Sequence, residues 1–417
     1  MRNRSLGATL LASVALIVGA CSSTGTASNA AASQSAAPSA AASTSASAAA
    51  SPSASESSAA SASASGSASA SASAASSAGA NLKIGVVTDI GSLNDKNFNE
   101  YSYKGAVDGA HAVGAADPVS IVPKDQAEYA QDIQSLIDQK YDVIVTVGFN
   151  LASATTKAAH DNPNTWFIGV DQSPICVTEK GLPDPDFGCK GEAKTLLPKY
   201  ISLQFAEDQA GYLAGIVAAG VSKNAEIGAI GGTTLCAPCV RYIQGYELGA
   251  KSVNPNIKVT SAYVTKDFSN AAFQDQPGGK RFAENFLAQN PKVDVLFQVA
   301  GLTGNGVLDA ACAKGINGIG VDVDQVLSYP ASAKCLVTSA EKHLETAVSD
   351  AIGSIANRNA TPGDNLFDAK NDGIGVADYH DAASKVPADI QQKVTDALNA
   401  MKSGSLKTCP DKCGSLS

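Results

Sequence analysis

Several short apolar runs in this chain end on carboxylates or glycines. LKIGVVTD closes near Asp89 and TWFIGVD on Asp171, NGIGVDVD carries Asp322 and Asp324, and DVIVTVG stops at Gly148. Carboxylates held at the ends of apolar strands accept hydrogen bonds from N–H and O–H groups, strongly once water is excluded. Directly after Asp89, in NDKNFN, Asn94 and Asp95 precede an aromatic, Phe98, where a helix begins. Aromatics usually pack in cores, so one at a polar strand-to-helix turn suits a flat ligand that covers its free face. Other chemistry is poorly provided for. His111, His160, His343 and His380 show no metal-ligand spacing, so no metal is expected. No Ser-His-Asp or Cys-His arrangement can be argued, and the chain reads as a binding protein, not an enzyme. G-L-T-G-N-G (301–306) lacks the G-x-G-x-x-G order of a dinucleotide loop and reads as a tight turn, so no cofactor is expected. C-A-P-C (236–239) has redox-like spacing but lies near the start of a late helix. It reads as a structural disulfide bracing that helix.

The elements that must hold these residues alternate regularly from residue 82 onward. Continuous apolar strands such as DVIVTVG, ending in Gly or Asp, are followed by helical stripes such as Tyr129, Ile133, Leu136 and Ile137. A second series begins near 201 with QAGYLAGIVAAG and EIGAIGG. Repeated βαβ units in two series predict an α/β protein with two doubly wound lobes. Ligands of such sheets sit beyond the carboxyl ends of the strands. That rule collects Asp89, Asn94, Asp95, Gly148, Asp171, Gly231, Gly232, Gly301, Asp322 and Asp324.

What precedes the folded part is of another kind. Arg2 and Arg4 flank an apolar stretch that ends in V-G-A-C, the pattern of a lipoprotein signal over residues 1–20 with Cys21 as the lipidated residue. Two or more acyl chains on Cys21 suffice for stable anchoring at the extracytoplasmic face of a cell membrane. Residues 21–80 are almost wholly Ala and Ser and read as a disordered tether. The formal net charge is −9, and loss of the two leader arginines makes it more negative. An acidic chain without a basic stripe argues against nucleic acid and anionic lipid as partners. Eight of the nine cysteines follow the tether, and their close spacings suggest the pairs Cys176–Cys189, Cys236–Cys239, Cys312–Cys335 and Cys409–Cys413.

Across residues 84–350 the motifs TDIG, NDKNFN, FIGVDQ, AEDQAGYLAGIVAA, IGAIGG, RYIQGYELGAK, AGLTGNGV, GVDVDQ and VTSAEKH follow one another in order. In these the chain resembles the basic membrane protein family of lipoproteins, purine-nucleoside receptors of ABC importers. The resemblance implies a type I periplasmic-binding-protein fold, with two lobes joined by a hinge and closing on ligand. The expected lobes are 81–200 with 325–358, and 201–324 with 359–417. It implies roles too. Phe98 is one face of an aromatic sandwich around the base, Asn99 and Asp171 bond the base edge, and Asp89 lines the same wall. Asp322, Lys342 and the backbone at Gly301 hold the ribose. Tyr242 stands where the family's second stacking phenylalanine is expected. The implied partners are a purine nucleoside and an ABC permease with its ATPase, the receptor being a monomer. Riboflavin or a sugar as ligand, and a sensor uncoupled from transport, are the alternatives. An insertion at roughly 173–199, with two cysteines and several prolines, departs from compact family members and is expected near the pocket mouth.

Overall fold

The computed structural model describes residues 81–414 apart from 90, 173, 174, 187 and 410–412. The leader (1–20), Cys21 and the tether (21–80) lie outside the described residues. Two six-stranded sheets organise the rest. The first contains β1 (Ile84–Thr88), β2 (Val119–Ile121), β3 (Val143–Val147), β4 (Trp166–Val170), β5 (Tyr200–Phe205) and β11 (Gly363–Phe367). The second contains β6 (Glu226–Thr233), β7 (Lys258–Thr265), β8 (Val295–Val299), β9 (Asn317–Asp322), β10 (Leu336–Lys342) and β12 (Ile374–Val376). Their spatial orders correspond: β2-β1-β3-β4-β5-β11 and β7-β6-β8-β9-β10-β12. All pairings are parallel except β10 with β12. Every residue of IGVVT in β1 and VIVTV in β3 is buried, as parallel strands covered on both faces require.

The chain passes between the sheets after β5, after β10 and after β11. The lobe limits expected at 200/201, 324/325 and 358/359 therefore shift. β5 and β11 complete the first sheet, and β10 belongs to the second, in parallel register with β9 (Ala340 opposite Val321). Of the elements within 325–358, the helix after β10, Leu344–Ala356, belongs to the first lobe, where it packs on the helix Phe98–Ala112. A side chain at Gly105 would lie 2.6 Å from the Glu345 carbonyl oxygen, so the glycine permits that backbone approach.

Glycines also set the helix pair that carries Tyr242. Helix Glu207–Val221 is buried on nearly every side and lies against Ala237–Val253. A Cβ at Gly211 would sit 2.1 Å from the Tyr242 carbonyl oxygen, and one at Gly245 would sit 2.0 Å from that of Asp208. The two backbones thus touch directly, and any larger residue at these positions forces them apart.

The four expected disulfides are all formed: Cys176–Cys189, Cys236–Cys239, Cys312–Cys335 and Cys409–Cys413. The first closes the insertion, and a loop of that length stabilises by about 3 kcal/mol in a chain-entropy account. An antiparallel bridge between Val177 and Pro183 braces the same loop.

Candidate functional site

Both sheets end their fourth position with a strained acid. Asp171 follows β4 at φ +60° and Asp322 closes β9 at φ +64°, the left-handed region that non-glycine residues avoid at a cost of about 1–2 kcal/mol. Strain of this kind persists only where surroundings over-determine it. A nearby glutamine does so in each lobe. Gln172 donates to the carbonyls of Thr146 and Gly148 and accepts from the Tyr200 hydroxyl. Gln325 accepts from the Val321 N–H and from Gln298. At the end of β1, the Asp89 carboxylate occupies the space beside Gly148, where a Cβ would lie 1.9 Å from its oxygen. Gly148 also has φ +110°, so the position is closed to other residues on both grounds.

The turn after β1 is built on Asp95. Its carboxylate accepts from the backbone N–H groups of Asn97, Asn99 and Glu100 at 2.9, 3.0 and 3.1 Å. Asn97, at the cap position, makes no side-chain cap bond of its own. Asp95 thereby starts the helix and fixes Phe98 and Asn99 in its first turn. Three bonds from the second lobe clasp this turn: Asn305 to the Asp95 carbonyl, Ser328 to that of Lys96, and Gln274 to that of Gly91. The lobes are closed on each other here.

One cavity, with about 580 Å³ of empty space including its open part, lies between the sheets. Asp89, Phe98, Asn99 and Asp171 line it from the first lobe, and Tyr242, Gly301, Asp322 and Lys342 from the second. The structure therefore brings together all of the ligand-contact candidates. It adds Phe149, Phe273 and the Cys236–Cys239 disulfide, which were not among them; of the strand-end set Asp95 lines it too, whereas Asn94, Gly148, Gly231, Gly232 and Asp324 do not. Phe149 follows Gly148 at a strand end, the same signal that exposed Phe98, whereas Phe273 had none. No residue of the insertion lines this cavity among the described residues.

Lys342 lies at its floor and is 3% exposed. Its ammonium stands 2.5 Å from Asp171 Oδ2, 3.1 Å from Glu207 Oε1 and 3.8 Å from Asp322 Oδ1. The rings of Phe98, Phe205 and Tyr242 surround it, with centroids 5.3, 5.4 and 5.5 Å away. Arg241 balances Glu207 from the other side through Nε at 2.6 Å. Tyr242 is itself fully buried, donates its hydroxyl to Asp322 Oδ1 at 3.1 Å, and meets Phe297 edge-on at 6.0 Å. Its ring is thus held by a bond that a phenylalanine cannot make. Asn99 Oδ1 and Asp171 Oδ1 are buried without a hydrogen-bond partner. Orphaned acceptors of this kind at a cavity wall suit a ligand that donates.

Five carboxyls against two cations shape the electrostatics. Burial pushes Asp95 and Asp171 up to about 6, although backbone N–H groups oppose this at Asp95 and Lys342 opposes it at Asp171. Burial also raises Asp322, and raises Asp89 well above its ordinary value with help from the Asp171 charge. Burial works against ionisation of Glu207 too, yet Arg241 and Lys342 together hold its carboxyl below the usual value. Unfolded aspartates titrate near 3.9, so between about pH 4 and 6 the folded protein holds more protons than the unfolded chain. The ligand-free protein should therefore be more stable at pH 5 than at pH 7. Urea unfolding at the two pH values checks this, and equal or greater stability at pH 7 contradicts it.

A family pattern described as the PnrA-like substrate-binding proteins of ABC transporters matches residues 82–406. The chain belongs to this family. Among relatives of this PnrA-like protein is the ABC transporter nucleoside-binding protein BmpA of Lactococcus lactis. It is 28% identical over 74% of this chain and 87% of the relative. Basic membrane protein D of Borreliella burgdorferi is 28% identical over 79% of this chain and 88% of its own. Solved solute-binding proteins share the fold. That of Aeropyrum pernix superposes with a TM-score of 0.64 at 23% identity, covering 79% of this chain and 94% of the other. That of Conexibacter woesei gives 0.58 at 21%, covering 78% and 98%. This PnrA-like chain is thus an ABC transporter substrate-binding protein with the type I two-lobed fold. No helix among its described residues is long and apolar enough to cross a membrane.

Proposed function

We propose that this protein captures a purine nucleoside between its lobes and hands it to an ABC importer. In this reading it works from a lipid anchor at Cys21 on the outer face of the membrane. The observation that carries the reading is the mixed character of one cavity: aromatic faces, orphaned acceptors and a carboxylate–lysine cluster within about 580 Å³. A nucleoside has a flat apolar face, an edge of N–H groups and a diol, and these wall types answer to each. The nucleoside-binding name of the Lactococcus lactis relative agrees with it.

Phe98 then stacks on the base, and Asn99 and Asp171 accept from its edge, with Asp89 alongside. Asp322, Lys342 and the Gly301 backbone serve the ribose. Tyr242 faces the ligand from the second lobe while its hydroxyl stays on Asp322. The lysine is already neutralised by carboxylates, so the cavity offers no free cationic cluster for a phosphate, and a nucleoside suits it better than a nucleotide. Capture proceeds by closure about the crossings beside β5, β10 and β11, and the clasp on residues 91–97 forms only in the closed state. The closed form is what docks on the permease. No bond is made or broken in the ligand.

Titration calorimetry of the purified protein with adenosine, guanosine, inosine, riboflavin and pentoses tests this reading. Binding of at least one purine nucleoside with a Kd well below about 100 μM is expected. Failure of all three nucleosides while riboflavin or a pentose binds would overturn it.

A further inference from the structure

A second chamber adjoins the cavity, with about 1260 Å³ of empty space, part of it open to solvent. Phe149, Asp171 and Pro238 line both spaces, which therefore lie side by side at these residues. The far wall comes from the inserted loop, through Ile175, Cys176, Pro183, Asp184 and Pro185. That loop is braced three ways: by the Cys176–Cys189 disulfide, by the Val177–Pro183 bridge, and by the Ile175 N–H on Asp364. So the insertion stands beside the binding cavity and encloses additional volume rather than filling the cavity itself.

The position of the junction says which end of a ligand would reach it. Asp322, Lys342 and Gly301 line only the first cavity. Asp171, assigned to the base edge, lines both. The second chamber therefore extends from the base end and leaves the ribose end untouched. Its lining is part apolar and part polar, the polar part including Arg241, Asp184, Gln172 and Thr156. The Phe149 and Phe268 rings pack with centroids 5.2 Å apart, and Leu235, 52% exposed, lines the same chamber. The Asn150 amide nitrogen, by contrast, is a buried donor without a partner. A substituent with an apolar body fits such a lining, and a nucleoside alkylated on its exocyclic amine still keeps one N–H to give to Asp171.

We propose that the receptor accepts purine nucleosides enlarged at the exocyclic amine, with the added group lodged in the second chamber. This rests on the nucleoside reading above, and the test separates the two. Calorimetry is run with adenosine and N-benzyladenosine on the wild-type protein and on Ser153→Trp. Ser153 is an exposed residue of the chamber wall that does not line the first cavity. The wild type should bind N-benzyladenosine within about tenfold of adenosine. Ser153→Trp should weaken the benzylated compound by about tenfold or more and adenosine by less than about twofold. Leu235→Ala, also exposed, should weaken only the benzylated compound. Tight adenosine binding with the benzylated compound more than about tenfold weaker overturns the chamber assignment alone. So does a pair of variants that affects both ligands alike or neither. If the wild type binds neither adenosine nor N-benzyladenosine, this proposal falls; if guanosine and inosine fail as well, the nucleoside reading itself falls with it.

Discussion

Lys342→Ala should lower the stability of the ligand-free protein by about 3–5 kcal/mol, the range for removing one partner from a buried ion pair. The reason is the set of groups left behind. Asp171, Glu207 and Asp322 all face the ammonium, and none of the three is appreciably exposed. Arg241 remains beside Glu207 only, so two acids are left without a counter-charge and must take up protons or repel. The three rings around the ammonium lose a cation as well, each such contact being worth about 0.5–2 kcal/mol. Lys342 ends β10, and Glu207 starts the helix after β5, so the cluster sits beside two of the chain's crossings between lobes. Its loss should loosen the hinge along with the cavity floor. Urea unfolding of the variant measures the effect, with Asp171→Asn in the same background as the partner test. The double variant should recover part of the loss, because it removes one uncompensated charge. A loss below about 1 kcal/mol would show that the cluster tolerates three acids without the lysine, and would remove Lys342 as the counter-charge that holds it together.

Phe98→Ala should weaken purine-nucleoside binding by more than about tenfold, since one stacking contact on a base is worth about 1–3 kcal/mol. Phe98 is only partly buried, and its backbone is held by the Asp95 cap independently of the ring. The ring does pack on the core and stands over Lys342, so the ligand-free protein should lose about 1 kcal/mol too. Phe98→Leu separates these contributions. Leucine keeps most of the packing and should restore most of the stability, while the affinity stays low for want of a π-face. Calorimetry and thermal melting of both variants read the two quantities. An affinity within about twofold of wild type for Phe98→Ala would remove the ring from the ligand contact.

Much of the site is legible in the amino-acid sequence, and for a definite reason. In doubly wound sheets the strand ends converge, so Asp89, Gly148, Asp171 and Asp322 must lie near one another once the strands are recognised. The cysteine pairs are legible because their partners are near in sequence, from 3 to 23 residues apart. The lobe limits are not legible in the same way. A strand such as VTSAEK has the same apolar character whichever sheet receives it, and only pairing with β9 assigns β10 to the second lobe. Phe149 follows a strand-end glycine and so carries a signal that points to the cavity. Phe273 sits in the short segment Asn270–Phe273, where no pattern distinguishes it from a core residue.

The amino-acid sequence by itself determined the alternation of strands and helices and the polar strand ends. These depend on periodicity and residue size, which act over a few positions. Only the tertiary structure decided the electrostatics. Lys342 and Asp171 are 171 residues apart in the chain yet 2.5 Å apart in space. It also decided that the inserted loop encloses a second chamber and leaves the first cavity open, and that Tyr242 spends its hydroxyl on Asp322. Charges and cavity walls act through distance in three dimensions, and no local pattern in the chain records that distance.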